Sequence, residues 1–344
     1  MTVMRAMLLT APESVDHFEE QLLPLPVPLS DEVRIRIRAA GFNPMDVQRR
    51  KAARATQLPM LLGGEVAGEV DAVGTSVSAF IVGDPVMTYL VRRPGGYAEF
   101  VCVEAIFVVR KPACLSFAQA AALPVVGLTA FQAVTRGGVR ASDSVLITGA
   151  SGGVGTMAVQ LARLHGAASV VVTAGSDRSA RYLIERLGIL PRQIVRYAGR
   201  SRAELAAEAM QCNSGKRFRV ALDLVGGAMT SLCTDVVDVE GHIVAIASGP
   251  RDATHGEADN DEDRLFDKSA TFHFLLLSAA ALLGSPADWG IYAEQLTALT
   301  HLLESGRLHP PQVEDVGPLS VASVRHAHHL LEGGHVQGKL VMTM

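Results

Sequence analysis

The stretch Ser144–Gly166, SVLITGASGGVGTMAVQLARLHG, constrains the fold of this chain more than any other. Val145, Leu146 and Ile147 form a short aliphatic run with the composition of a buried parallel strand. Directly after it comes the turn 149–155, GASGGVG, and then Val154, Met157, Ala158, Leu161, Ala162 and Leu164 recur at helical spacing. Strand, glycine turn and helix are the context in which Ala150-x-Gly152-x-x-Gly155 reads as a dinucleotide fingerprint, here with alanine in the first place. A backbone lacking Cβ at Gly152 lets a pyrophosphate approach, and Gly155 lets the helix pack on the strand. The free N–H groups of the helix start favour the anion. Ser151, Gly153 and Val154 complete the turn and count, with Ala150, Gly152 and Gly155, as expected cofactor-binding residues.

A chain of 344 residues is too long for one ordinary core, so two domains are expected. A net charge of −4 gives no basic footprint for nucleic acid. The four cysteines, Cys102, Cys114, Cys212 and Cys233, are far apart and form no CxxC pair. They read as reduced thiols of a cytoplasmic protein. The N-terminal apolar segment is too short for a signal peptide. From Pro112 to Thr135 no residue past Lys111 is charged, but Pro124, Gly127, Gln119 and Gln132 make this a pair of buried helical segments, not a membrane span. The apolar run Phe274–Leu283 is likewise too short to cross a bilayer.

Residues 1–110 are dense in strand and turn signals. In Asp31–Ala40, Val33, Ile35 and Ile37 alternate with Arg34, Arg36 and Arg38, which predicts a half-buried strand with a solvated arginine face. Repeated glycines between short β-rich runs suggest a compact barrel of curved strands. Beyond the fingerprint helix, Ser169–Thr173, Ile194–Tyr197, Val220–Leu224 and His242–Ile246 read as further strands, with helices over Arg178–Leu187 and Ala203–Met210. This alternation predicts a parallel, doubly wound sheet. Arg251–Asp267 reads as an acidic surface loop, with a lid over the cleft as the functional alternative. Ala322–Leu331 reads as a surface helix whose His326, His328 and His329, with His335 beyond, lack a cysteine partner for a metal site.

In order along the chain stand GFNPMD (41–46), GGEVAGEV (63–70), VG (73–74), FIVGDPV (80–86), GGYAEFV (95–101), AALPVVGLTAF (121–131), GASGGVG (149–155), DLVGG (223–227) and GKLVM (338–342). On these motifs the chain resembles the medium-chain dehydrogenase/reductase superfamily, in its zinc-independent quinone oxidoreductase and enoyl reductase branch. The resemblance implies an α/β fold: a GroES-like β-barrel catalytic domain (1–122 and 300–344) around an inserted Rossmann nucleotide-binding domain (123–299). Zinc alcohol dehydrogenases of this superfamily hold their catalytic metal with Cys at the position of Asn43 and His at the position of Gly64, so no metal is expected here.

Without zinc, the chemistry left is hydride transfer from a nicotinamide to a polarised alkene or a quinone. Asn43 is the candidate catalytic residue, for a hydrogen bond to the substrate or to cofactor groups at the cleft; its alternative role is to shape the turn before Pro44. Asp46 is assigned to structure. Enoyl reductases of this branch often place a tyrosine shortly after this turn as proton donor, and Val47–Leu58 contains none. Cofactor preference follows from the end of the second strand, where an NAD site carries an acid. Here stand Thr173, Ala174, Gly175 and Ser176, followed by Arg178 and Arg181, which suit a 2′-phosphate, so NADPH is expected. Asp177 is expected to cap the next helix and point away.

The resemblance further implies that Tyr197 lines the adenosine pocket and Gly227 the adenine–ribose side. It places Ala245, Ile246, Ala247 and Ser248 near the nicotinamide ribose, and His273, Phe274 and Leu275 alongside the nicotinamide. Lys339 matches a family lysine at the cleft, with an ordinary strand lysine as the alternative. The expected function is NADPH-dependent reduction of a small-molecule quinone or α,β-unsaturated carbonyl by a cytoplasmic homodimer, paired through the apolar Phe272–Leu277 edge. Two rivals stand beside it. One is a trans-acting enoyl reductase for a polyketide or fatty-acid carrier protein, docked on Arg49, Arg50, Lys51 and Arg54. The other is a non-catalytic NADPH-binding scaffold.

Overall fold

The computed structural model describes residues 2–246, 261–334 and 336–344. The chain divides into two compact units, Met1–Leu128 with Ser278–Met344, and Thr129–Leu277. Residues 278–299 therefore sit with the first unit, not with the nucleotide-binding part to which the sequence reading gave them. The helix Gly290–Glu304 explains the difference. It buries Tyr292, Leu296, Leu299 and Leu303, and its Tyr292 ring lies 5.8 Å from that of Phe107.

The strands, in chain order, are β1 (Val3–Leu9), β2 (Phe18–Pro24), β3 (Glu32–Gly41), β4 (Met60–Leu61), β5 (Glu65–Val73), β6 (Pro85–Tyr89), β7 (Phe100–Glu104) and β8 (Val108–Arg110). They continue with β9 (Ser144–Ile147), β10 (Ser169–Ala174), β11 (Ile194–Arg196), β12 (Phe218–Asp223), β13 (Val237–Ala245), β14 (Thr271–Phe274), β15 (Val313–Pro318) and β16 (Lys339–Thr343).

In the first unit a seven-stranded sheet runs β15-β16-β3-β5-β6-β8, with β7 also paired to β3. A three-stranded sheet, β2-β1-β4, is bridged to the rest at Ala6–Ala98. The expected alternation holds along β3. Val33, Ile35 and Ile37 are buried, while Arg34 and Arg36 pair with Asp71 and Arg38 pairs with Glu69 across the outer face. The arginine face is thus matched by acids of the neighbouring strand. The C-terminal strand β16 lies antiparallel to β3, Val341 opposite Gly41, which brings Lys339 to the turn that follows β3.

The second unit is a six-stranded parallel sheet in the order β11-β10-β9-β12-β13-β14, the doubly wound arrangement expected from the alternation of strands and helices. Its inner strands are aliphatic on both faces because helices cover both. Leu146, Val171, Val195, Ala221 and Ile243 pack against Leu232 and Val236 of the helix Ala228–Val236 in one core. This order sets the ends of β9 and β12 side by side, where the fingerprint turn emerges.

Three local expectations are corrected. The third strand of this unit stops at Arg196, leaving Tyr197 just beyond it. The acidic segment is not loop throughout, since Asp261–Asp267 is helical. Three acids in its first turn suit the helix N-terminus, and Arg264 ion-pairs with Asp235; residues 251–260 lie outside the described part. The helix Val321–Glu332 is not wholly superficial, because His328 is fully buried. The uncharged stretch after Lys111 forms the helices Phe117–Ala121 and Pro124–Arg136. Among the described residues, no helix is long and apolar enough to cross a membrane.

Candidate active site

In the second unit the glycine turn is fixed by hydroxyls and one buried carboxylate. Thr148 Oγ1 donates to Asp223 Oδ1 (3.1 Å) and accepts from the Leu224 N–H (2.9 Å), so the ends of β9 and β12 are stitched together. Asp223 also accepts from Gly226 N–H (2.9 Å) and Thr230 Oγ1 (2.5 Å), which shapes the DLVGG turn. Gly149 has a positive φ of 61° and donates its N–H to Thr173 Oγ1 (3.3 Å). A Cβ on Gly155 would overlap the backbone of Gly149 and Ala150, so only glycine allows the helix Gly153–Leu164 to start so close to the strand. At Gly152 the situation is opposite: a Cβ there would meet nothing nearer than Gly149 O at 3.4 Å. Gly152 also caps this helix without any side-chain hydrogen bond. First-turn N–H groups with an open approach form an anion site.

The corner after β10 differs from expectation in one respect. Ser176, not Asp177, caps the helix Asp177–Leu187, its Oγ accepting from Ser179 N–H (3.1 Å). Asp177 is the first helical residue, and its exposed carboxylate pairs with Arg196 Nη1 (2.7 Å). Arg178 is exposed, and the Tyr197 ring packs so close to Gly175 that a Cβ there would overlap it.

Gly227, with a positive φ, caps the helix Ala228–Val236 and has open space where a Cβ would stand. Ala245 ends β13, and Ile246 follows it, donating its N–H to Asp223 O (3.1 Å). Ala247 and Ser248 lie outside the described residues. On β14, His273 stacks on His242 (5.8 Å between ring centroids), while Phe274 is exposed and Leu275 buried. Burial first, then Arg136, holds His273 below the usual imidazole range.

In the first unit, Asn43 is 5% exposed and precedes the helix Pro44–Ala52. Its own N–H donates to Asp46 Oδ2 (2.9 Å), so the aspartate rather than the asparagine side chain closes the turn. The amide of Asn43 is thereby released for other partners. Nδ2 donates to Glu65 Oε1 (2.9 Å), and Oδ1 accepts from Lys339 Nζ (2.7 Å). Lys339 Nζ also donates to Glu65 Oε1 (2.5 Å) and Phe42 O (2.7 Å), which takes up all three ammonium donors. Glu65 Oε2 accepts from Val125 N–H (2.8 Å). Lys339 is therefore committed to the Asn43 turn, with no donor left for a phosphate. Burial raises the Asp46 carboxyl to about 6, against the opposing pull of the Asn43 N–H.

Several of these residues escaped the sequence reading. Glu65 and Tyr89, directly opposite each other on β5 and β6, were hidden in runs that read simply as strand. Arg50, in a run of cations, is buried, donating to Glu332 (2.6 Å) and, at 3.5 Å, to His328 Nδ1; the other ring nitrogen meets Tyr97 Oη at 3.2 Å. The only signal was a histidine at a helix position facing the apolar stripe.

Among the described residues no three His, Cys, Asp or Glu side chains come together as a metal-binding group. The family described as "Alcohol dehydrogenase GroES-like domain" matches residues 29–113, and "Zinc-binding dehydrogenase" matches residues 193–342. A chloroplast envelope quinone oxidoreductase homolog of Arabidopsis thaliana is 30% identical over 94% of this chain and 93% of its own. A 2-methylene-furan-3-one reductase of Solanum lycopersicum is 30% identical over 98% and 79%. Quinone oxidoreductase of Mus musculus is 41% identical, but the match spans only 47% of this chain and 49% of that protein. The solved quinone oxidoreductase of Coxiella burnetii superposes with a TM-score of 0.79 at 28% identity, covering 100% of both chains.

Proposed function

The chain belongs to the medium-chain dehydrogenase/reductase superfamily, in its quinone-oxidoreductase-like branch, and from that premise we propose that it is a zinc-independent, NADPH-dependent reductase of quinones or α,β-unsaturated carbonyls. The observation that carries the reading is the turn 149–155, with its open approach at Gly152 and a helix start that no side chain caps. A dinucleotide pyrophosphate fits there, held by the N–H groups of the turn. A bound reduced nicotinamide supplies the hydride.

The protein's own residues bind and orient. Ser176 and the exposed Arg178 face a 2′-phosphate, and Arg196 neutralises the Asp177 carboxylate that would otherwise repel it. Gly175 lets the hydroxyl end of the Tyr197 ring come close, where the adenosine would lie, and Gly227 has open space in place of a side chain. Zinc independence is supported by the donor set. Gly64 has no donor, and the Asn43 amide is engaged on both sides by Glu65 and Lys339. Asn43 presents a fixed polar turn, with Lys339 as its support.

A homodimer through the open edge of β14, and a cytoplasmic location suited to four unpaired cysteines, belong to the same proposal. Of the four basic residues on which the carrier-protein alternative rests, Arg50 is buried against Glu332 and so removed from a docking patch, while Lys51 and Arg54 stay exposed.

Steady-state NADPH oxidation against a panel of quinones and enones tests the reading. Turnover of members of one class is expected, and no turnover with any member would contradict it.

A further inference from the structure

In the second unit the strands run outward from β9 through β10 to β11 on one side, and from β12 through β13 to β14 on the other. The topological switch point therefore lies between β9 and β12. In doubly wound sheets ligands lie in the crevice outside the carboxyl ends of the strands at that point. Two turns border it, GASGGVG after β9 and DLVGG at the end of β12, and they touch: a Cβ on Gly149 would stand 2.8 Å from Val225 Cγ2. Thr148 and Asp223, both fully buried, join the two strands at the root of these turns. Thr148 Oγ1 donates to Asp223 Oδ1 (3.1 Å) and accepts from Leu224 N–H (2.9 Å). The same Oδ1 accepts from the N–H groups of Val225 (3.2 Å) and Gly226 (2.9 Å), and Oδ2 accepts from Thr230 Oγ1 (2.5 Å). The main-chain oxygen of Asp223 takes the Ile246 N–H (3.1 Å), so the end of β13 is tied to the same residue.

The four side-chain bonds of Asp223 all come from uncharged donors. A buried carboxylate held in this way is costly, and a pair of aliphatic side chains would close β9 on β12 at less expense. What an aliphatic pair lacks is direction. Hydrogen bonds to an ionised oxygen fix donor and acceptor in distance and angle, where apolar contacts allow sliding. We propose that Thr148 and Asp223 are positioning residues for the dinucleotide, a clasp that sets the spacing of the two glycine turns at the switch point. The inference rests on the nucleotide-binding reading above. Both residues are buried, so they act through the turns. The clasp lies at β9 and β12, away from the corner after β10 where Ser176 and Arg178 stand, so it serves NADPH and NADH alike.

The test is Thr148→Val, which keeps the shape of the side chain and removes its hydroxyl. Fluorescence titration, at a temperature where circular dichroism shows the variant folded, should give a Kd about tenfold higher for NADPH and for NADH, with their ratio unchanged within about twofold. Thr148→Ser keeps the hydroxyl and should stay within about twofold of wild type for both. In turnover, the nucleotide KM of Thr148→Val should rise with its Kd, while kcat at saturation falls by less than about threefold. Asp223→Asn keeps an acceptor at Oδ1 but not the charge; it should raise both Kd values about fivefold, and it carries the test if Thr148→Val does not fold. Unchanged affinity in the Val or the Asn variant would overturn the proposal and leave the clasp a part of the core. An equal loss in Thr148→Ser and Thr148→Val would overturn it as well. So would a loss confined to NADPH, the pattern of a defect at the Ser176 corner. A wild type that binds neither nucleotide would remove the nucleotide-binding reading itself.

Discussion

Lys339→Met is expected to destabilise the protein by about 3–5 kcal/mol, because it leaves the carboxylate of Glu65 buried and uncompensated. Glu65 is 0% exposed and Lys339 4%, so neither charge recovers water when its partner is lost. The substitution also strips a donor from Asn43 Oδ1 and Phe42 O. The loss should appear as a large drop in the urea midpoint at unchanged slope. The double variant Glu65→Gln/Lys339→Met removes both charges and keeps an acceptor for Asn43 Nδ2. It should recover at least about half of the loss, since a neutral pair carries no desolvated charge. A single variant within about 1 kcal/mol of wild type would show that the pair is solvated and does not hold the Asn43 turn to β16.

Below pH 6.5 His328 should contribute a loss of stability, opposed between about 6 and 4 by Asp46, whose carboxyl binds its proton more readily folded than unfolded. Burial first, and then the adjacent Arg50, push this imidazole down to about 3, while Glu332 opposes them. Arg50 donates to Nδ1, so the ring is neutral with its proton on Nε2, directed at Tyr97 Oη. Phe18 and Phe42 pack edge-on against it, and the ring is fully buried. The unfolded chain takes up a proton near 6.5, and the folded one does not until about 3. Stability is therefore complete above 6.5 and is lost as pH falls between these values, by about 1.4 kcal/mol per unit and about 3–5 kcal/mol in all. Glu332, held low by Lys51 and Arg50, adds a loss of the same sign in stronger acid. Urea unfolding of wild type and His328→Gln between pH 4 and 7 measures the effect. The variant should lose close to one proton's worth of slope, and parallel slopes would contradict the assignment.

What was legible in the sequence was local. An aliphatic run, GASGGVG and a helical repeat lie next to one another, so the strand, the turn and the helix at 144–164 were all readable from neighbours. The alternation in β3 was readable for the same reason. That five of these strands form one parallel, doubly wound sheet followed from their alternation with helices, whereas their order and the sixth strand came only from the structure. What was not legible depends on partners distant in the chain. Lys339 and Glu65 are 274 residues apart, and Arg50 and Glu332 are 282 apart, so no window shows that these charges are matched. Arg50 looked like surface because it stands between Arg49 and Lys51. Tyr89 was missed because it stands in a run that read simply as strand, and only the sheet sets it opposite Glu65. Asp177 was misassigned by one position, since Ser176 has the hydroxyl that reaches the free N–H of Ser179.

Fluorescence titration of the purified protein with NADPH and with NADH bears most directly on the account, because everything proposed for this chain follows from a phosphorylated dinucleotide lying on the turn 149–155. Gripped by Ser176 and Arg178, NADPH should bind at least about tenfold more tightly than NADH, a difference of about 1.4 kcal/mol. Equal affinity for the two, tighter binding of NADH, or no binding of either would contradict it.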